Sequence, residues 1–172
     1  HKNLEEFSKY STIPVINGVS DQSNQCQVMY DSVTFEESNG NREGKTISWR
    51  GDGNNNMSNS FIEAAVKFKF NLNIGCPKNY IPNKSVLDWV KMNNKRIHIL
   101  HDDNKAVADD DVVLSDKVIS LNDKVNKKEK LFHFKNFKIT KKLMNNAKKD
   151  CIFLHCLPRG QEVEEQVFYG KQ

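Results

Sequence analysis

Polar groups of three kinds stand where apolar runs of this chain end. Cys156, preceded by His155, leaves the run 151–155 and is followed by Leu157 and Pro158. Asp116 follows the run 112–115, with Ser120 four residues further on. Asn55 and Asn56 lie in an asparagine-rich turn that opens with Gly51-Asp52-Gly53 after the run 45–50. A thiol, a carboxylate and side-chain amides can together hold a small polar molecule, and open α/β sheets keep their ligands at the carboxyl ends of strands. The turn's backbone N–H groups, with the helix start behind them, could receive an anion, here a carboxylate. Each residue also has a plainer reading. Free cysteine is among the most buried residue types, so Cys156 can be a structural thiol. Asp116 can be a helix cap or a solvated carboxylate, the asparagines a tight turn without a ligand, and His155 a hydrogen-bonded core histidine.

The elements that must position these groups follow from periodicity and punctuation. Leu4, Phe7 and Tyr10 mark an amphipathic turn or two of helix. Residues 13–16 read as a short apolar strand ended by the turn signal Asn17-Gly18. A helix is expected over 25–37, then strands at 45–50, 70–75, 97–101, 112–115 and 151–155. Helices are expected at 58–69, 85–93, 104–108, 141–147 and 162–169. Within 151–155, Cys151, Phe153 and His155 face one way and Ile152, Leu154 and Cys156 the other. Pro158 cannot donate to a ladder, so the sheet should end near it. This alternation of strand and helix predicts an α/β fold: a doubly wound, parallel, five-stranded sheet of order 3-2-1-4-5, Rossmann-like, with right-handed crossovers.

A chain of 172 residues makes one domain, or one and part of another. Its net charge of +4 comes mostly from 124–149, where lysines are interrupted by Phe132, Phe134 and Phe137. Basic residues among aromatics can bind single-stranded nucleic acid. A mobile loop and a solvated helix with one apolar face is the reading preferred here, because the lysines form no tight stripe. The four cysteines, at 26, 76, 151 and 156, form no CxxC pair and no zinc spacing, so neither a metal nor a disulfide framework is expected. No apolar run approaches 18 residues. The expectation is a cytoplasmic protein with reduced thiols, no cofactor, no nucleic acid and no membrane partner.

His155-Cys156-Leu157-Pro158-Arg159 resembles the His-Cys-Leu-Pro motif of ornithine carbamoyltransferases. Further segments match in the same order: Pro14 to Gly18, Gly51 to Asn56, Asn59 to Ala65, and Glu162-Val163 through Val167-Phe168. The resemblance runs along essentially the whole chain. It implies transfer of a carbamoyl group from carbamoyl phosphate to the side-chain amine of ornithine, giving citrulline and phosphate in arginine metabolism. It implies that residues 1–38 end a carbamoyl-phosphate-binding domain and supply a bridging helix, while 39–172 form the ornithine-binding domain. It assigns Asn56, Asp116, Ser120 and Leu121 to ornithine, and Gln27, Cys156 and Leu157 to carbamoyl phosphate. Asp116 and Cys156 become the catalytic pair. They orient the neutral amine and accept its developing charge, and no covalent intermediate on sulfur is expected. Without the resemblance, Gln27 is an ordinary helix glutamine.

Departures from the family pattern bear on these expectations. The bridging helix of the family opens with His-Pro-Cys-Gln, and here the segment is Asn24-Gln25-Cys26-Gln27. Asp-x-x-x-Ser-Met-Gly becomes Asp116 through Ser120-Leu121-Asn122. The Ser-x-Arg-Thr-Arg segment that grips phosphate is not in this sequence, whose arginines are Arg42, Arg50, Arg96 and Arg159. Weak binding of carbamoyl phosphate by this chain alone is therefore expected, and a trimer is expected of the complete enzyme. The rival from another class is a non-catalytic Rossmann-like module that keeps an amino-acid pocket. A nucleotide-dependent oxidoreductase is disfavoured by the missing third glycine of a GxGxxG turn and of an acidic residue well placed after the second strand.

Overall fold

Five short apolar runs become the strands of one sheet: β1 (Thr46–Arg50), β2 (Asn71–Gly75), β3 (Ile97–Leu100), β4 (Val112–Ser115) and β5 (Ile152–His155). In this computed structural model, residues 1–93, 96–101, 107–119, 123 and 125–170 are described. All strand pairs are parallel and the order is β3-β2-β1-β4-β5, as the 3-2-1-4-5 expectation had it. The chain thus starts in the middle of the sheet, builds one half and returns to build the other. The topological switch lies between β1 and β4.

Alternation along the strands feeds two apolar layers. Ile47, Trp49, Leu72, Ile74, Val112 and Leu114 point to one side. There they meet α2 (Gln25–Asn39), α3 (Asn56–Phe68) and α4 (Lys84–Asn93) through Val28, Phe35, Phe61, Ile62, Ala65 and Val90. Val113, Phe153 and Cys151 point to the other side, against α6 (Lys141–Met144) and α7 (Glu165–Phe168). Cys76 is buried in the first layer and Cys151 in the second, and burial pushes both thiols up to about 12.

Three local readings need correction. Residues 13–16 form no strand. Pro14 has no N–H to donate, and Ile13 and Ile16 are 72% and 78% exposed beside α1 (Lys2–Tyr10) rather than laddered to a neighbour. The last helix does not begin at 162. Ile139 N–H donates to Glu162 O at 2.8 Å and Glu164 N–H to Ile139 O at 2.9 Å, which holds this stretch extended before α7. The lysine-rich region is not simply a solvated helix either. In α5 (Lys127–Phe134), Lys130 is only 2% exposed and Phe134 is buried, while Phe132 points outward. Most of the short helix expected at 104–108 lies outside the described residues.

Candidate functional site

The register of the sheet brings the strand ends together. Arg50 pairs with Ser115, and Ser115 with His155. The next residue of each strand, Gly51, Asp116 and Cys156, therefore leaves the sheet at one edge, at the switch point where such sheets bind ligands. The Cys156 thiol donates to Asp116 Oδ1 at 2.7 Å. The same Asp116 oxygen accepts the backbone N–H of Lys117 at 2.7 Å. A local cap thus fixes the carboxylate, and the thiol is aimed at it from a strand forty residues later.

The third side comes from the turn after β1. Asn55 Oδ1 accepts from Ser58 N–H at 2.8 Å while Ser58 Oγ accepts from Asn55 N–H at 3.2 Å, a reciprocal capping box that starts α3 at Asn56. The cap leaves little of the turn for an anion. Gly53 N–H goes to Tyr80 O and Asn54 N–H to Asp52 Oδ1. Asn56 presents its side-chain amide, with one of its two N–H groups given to Ser20 O at 2.9 Å. Gly53 is required where it stands, because a Cβ there would lie 2.7 Å from Tyr80 O.

Gln27, Asn56, Asp116, Cys156 and Leu157 all line one crevice of about 450 Å³, floored by Trp49, Phe61 and Leu114. Ser120 and Leu121 lie outside the described residues. Two roomier surface grooves exist, one beside α5 and one along α2, and neither collects these strand ends. Among the described residues, no cluster of three or more His, Cys, Asp or Glu is arranged to hold a metal. Among them, too, no helix is long and apolar enough to cross a membrane.

The surroundings of the crevice hold further charged groups, of which sequence reading gave Asp31 and Lys130 no part. Asp31 lies one helical turn after Gln27 and accepts from its Nε2 at 2.9 Å. Burial pushes the Asp31 carboxyl up, the Gln27 bond pulls it down and Asp116 pushes it up again, to about 6. The side chain of His155 is buried, with Glu162 Oε1 3.3 Å from its Nε2 and its Nδ1 against Cys156 O. Desolvation pushes this imidazole down, but its bonds to Cys156 and Glu162 outweigh that and raise it to about 10. Lys130 Nζ lies 2.6 Å from Asp52 and 2.9 Å from Asp123, tying the turn after β1 to the stretch after β4. The only sequence signals for Asp31 and Lys130 were spacings: Gln27–Asp31 and Lys130–Phe134 at i,i+4.

The family model of the "Aspartate/ornithine carbamoyltransferase, Asp/Orn binding domain" matches residues 43–172. The chain belongs to the aspartate/ornithine carbamoyltransferase family. An ornithine carbamoyltransferase of Ruthia magnifica subsp. Calyptogena magnifica is 39% identical over 174 residues, covering 100% of this chain and 57% of that protein. One from Rhodopseudomonas palustris (strain ATCC BAA-98 / CGA009) is 42% identical, covering 100% and 56%. The solved structure of the ornithine carbamoyltransferase of Pyrococcus furiosus superposes with a TM-score of 0.89 at 36% identity, over 99% of this chain and 56% of that one. The chain thus spans little more than half the length of these carbamoyltransferases.

Proposed function

We propose that this chain carries the ornithine-binding half of an ornithine carbamoyltransferase, with residues 39–172 as that domain and 1–38 as the end of the carbamoyl-phosphate-binding half and its bridging helix. The observation that carries the reading is the 2.7 Å contact between Cys156 and Asp116 at the carboxyl ends of β5 and β4, inside a crevice that also holds Asn56. The free N–H of Asn56 suits the α-carboxylate of ornithine. Asp116 suits the side-chain amine, and the family resemblance assigns Ser120 and Leu121 to ornithine as well. Gln27, Cys156 and the backbone near Leu157 suit the carbamoyl group. The outer face of α2 supports the bridging role: Met29, Tyr30 and Val33 form an exposed apolar strip beside Val15 and Ile16.

The chemistry is an acyl transfer. The neutral amine nitrogen adds to the carbamoyl carbon, the carbon–oxygen bond to phosphate breaks, and the proton lost by the amine leaves with the phosphate. Asp116 orients the amine and faces the positive charge that grows on it. Cys156 holds that carboxylate in place through its hydrogen bond, without bonding to carbon. Citrulline, phosphate release and arginine metabolism follow from this reading, as does a trimer for the complete enzyme. A cytoplasmic location belongs to the same reading.

The test is citrulline formation from carbamoyl phosphate and ornithine by the protein as its gene encodes it, beside calorimetry with ornithine and with aspartate. Turnover with ornithine supports the reading. Ornithine binding without turnover would favour the non-catalytic amino-acid module, and binding of aspartate in preference to ornithine would overturn the substrate assignment.

A further inference from the structure

We infer that Asp31 is a positioning residue for the carbamoyl subsite: by accepting from Gln27 Nε2 it turns the Gln27 carbonyl oxygen toward the crevice, so that the subsite selects a group bearing N–H donors, a carbamoyl group, over an acyl group with a methyl in that place. The inference rests on the functional reading above and adds to it how the amide end is chosen. A glutamine amide has one accepting and one donating end, and the two are nearly the same shape. What faces a ligand is therefore set by what holds the other end. A carboxylate only accepts, so the Asp31 contact at 2.9 Å must be made by Nε2. Gln27 and Asp31 are four apart on α2 and project from one face, and both line the crevice.

Asp31 is costly where it stands. Behind it the gap is walled by Phe35, Ile47, Phe61 and Leu114. Asp116 faces it from the end of β4, and His155 and Cys156 from the end of β5. Arg42 lines the gap but is spent on Glu36 at 2.8 Å and on the face of Phe68. The carboxyl, lifted to about 6, is still ionised at neutral pH, which keeps the Gln27 amide from flipping.

The experiment uses the protein as its gene encodes it, wild type, Asp31→Leu and Asp31→Asn. Side-chain amide ¹H–¹⁵N spectra, with Gln27 assigned by Gln27→Glu, are titrated from pH 5 to 8. The Gln27 amide protons should shift with a midpoint near 6 in the wild type and stay still in Asp31→Leu. In kinetics, Asp31→Leu should raise KM for carbamoyl phosphate about 5–10-fold, the size of one hydrogen bond. KM for ornithine and inhibition by acetyl phosphate should stay unchanged. Asp31→Asn, whose own carbonyl can accept, should stay within about threefold of wild type. Gln27 protons that ignore the Asp31 titration overturn the inference, as does an Asp31→Leu variant that weakens both acyl phosphates alike. Absence of citrulline from every form would refute the functional reading, while the wild-type titration still decides the Asp31–Gln27 contact, even if Asp31→Leu does not fold.

Discussion

Asp110→Asn should stabilise this chain most at pH 8 and less than half as much at pH 5. Asp110 precedes β4 and has no exposed surface. Asn73 Nδ2 donates to its Oδ1 at 3.2 Å, while Oδ2 is buried with no partner among the described residues. Burial raises this carboxyl from 3.8 to about 7, against smaller downward pulls from Ser48 and Asn73. Its folded pKa lies above its unfolded one, so between these values the folded state binds the extra proton. Stability is then largest near pH 4 and falls as pH rises toward 7. At about 1.4 kcal/mol per pH unit, the interval is worth on the order of 4 kcal/mol. Asparagine has nearly the shape of the protonated acid and never ionises, so the variant should recover most of that loss. Asp31 and His155 are raised as well, to about 6 and about 10, and act in the same direction. Asp111 is lowered, chiefly by Lys148, Thr46 and Lys45 against its own desolvation, so its share is lost only as pH falls below the ordinary carboxylate range. Urea unfolding at pH 5, 6, 7 and 8 checks the argument. Wild-type stability that rises over this range, or an Asp110→Asn variant equally destabilised at both ends, would refute it.

Other expectations follow from the site and its supports. In the enzyme reading, Cys156→Ser should keep residual turnover reduced on the order of 10²–10³, and Asp116→Asn should lose at least as much. Mass spectrometry with carbamoyl phosphate alone should find no carbamoyl adduct on Cys156; an adduct chased to citrulline by ornithine contradicts the role given to sulfur. Lys130→Met leaves Asp52 and Asp123 facing each other without their cation, and should cost roughly 3–5 kcal/mol in urea unfolding; a cost under about 1 kcal/mol means the triad opens freely to water. Asn55→Ala removes the cap of α3 and should cost about 1 kcal/mol, read as a lower thermal midpoint.

The sheet was legible because its strands announce themselves. Runs such as 112–115 and 151–155 are apolar, short and ended by polar or proline residues, and the crossover rule then leaves few orders to choose from. The capping box was half legible, since Asn55 and Ser58 have the right spacing but the helix was expected from Ser58. Residues 13–16 misled because an apolar run does not show whether a partner strand exists. Lys130 was hidden in a lysine-rich stretch whose composition predicts solvent exposure, and only the three-dimensional approach of Asp52 and Asp123 gives it a reason to be buried. Asp31 was hidden for a similar reason: on α2 apolar residues occur on both sides, and no stripe marks which side carries a site. Glu162 was part of a family match, yet its place beside His155 depends on the extended stretch at Ile139.

The two buried thiols make this molecule a reporter of its own cooperativity. Cys76 and Cys151 lie in layers on opposite sides of the sheet, and each thiol is held up near 12, so neither reacts while its layer is closed. Labelling by an alkylating reagent therefore times an opening event, and the residue labelled tells which side opened. If β1 and β4 bind the layers into one unit, the two thiols open at one rate with one dependence on urea. If the second layer, whose α6 and α7 are four residues each, lifts away first, Cys151 reacts ahead of Cys76. The central strands then act as a keel on which the first layer stays seated, and the crevice persists on that side while the floor beneath His155 loosens.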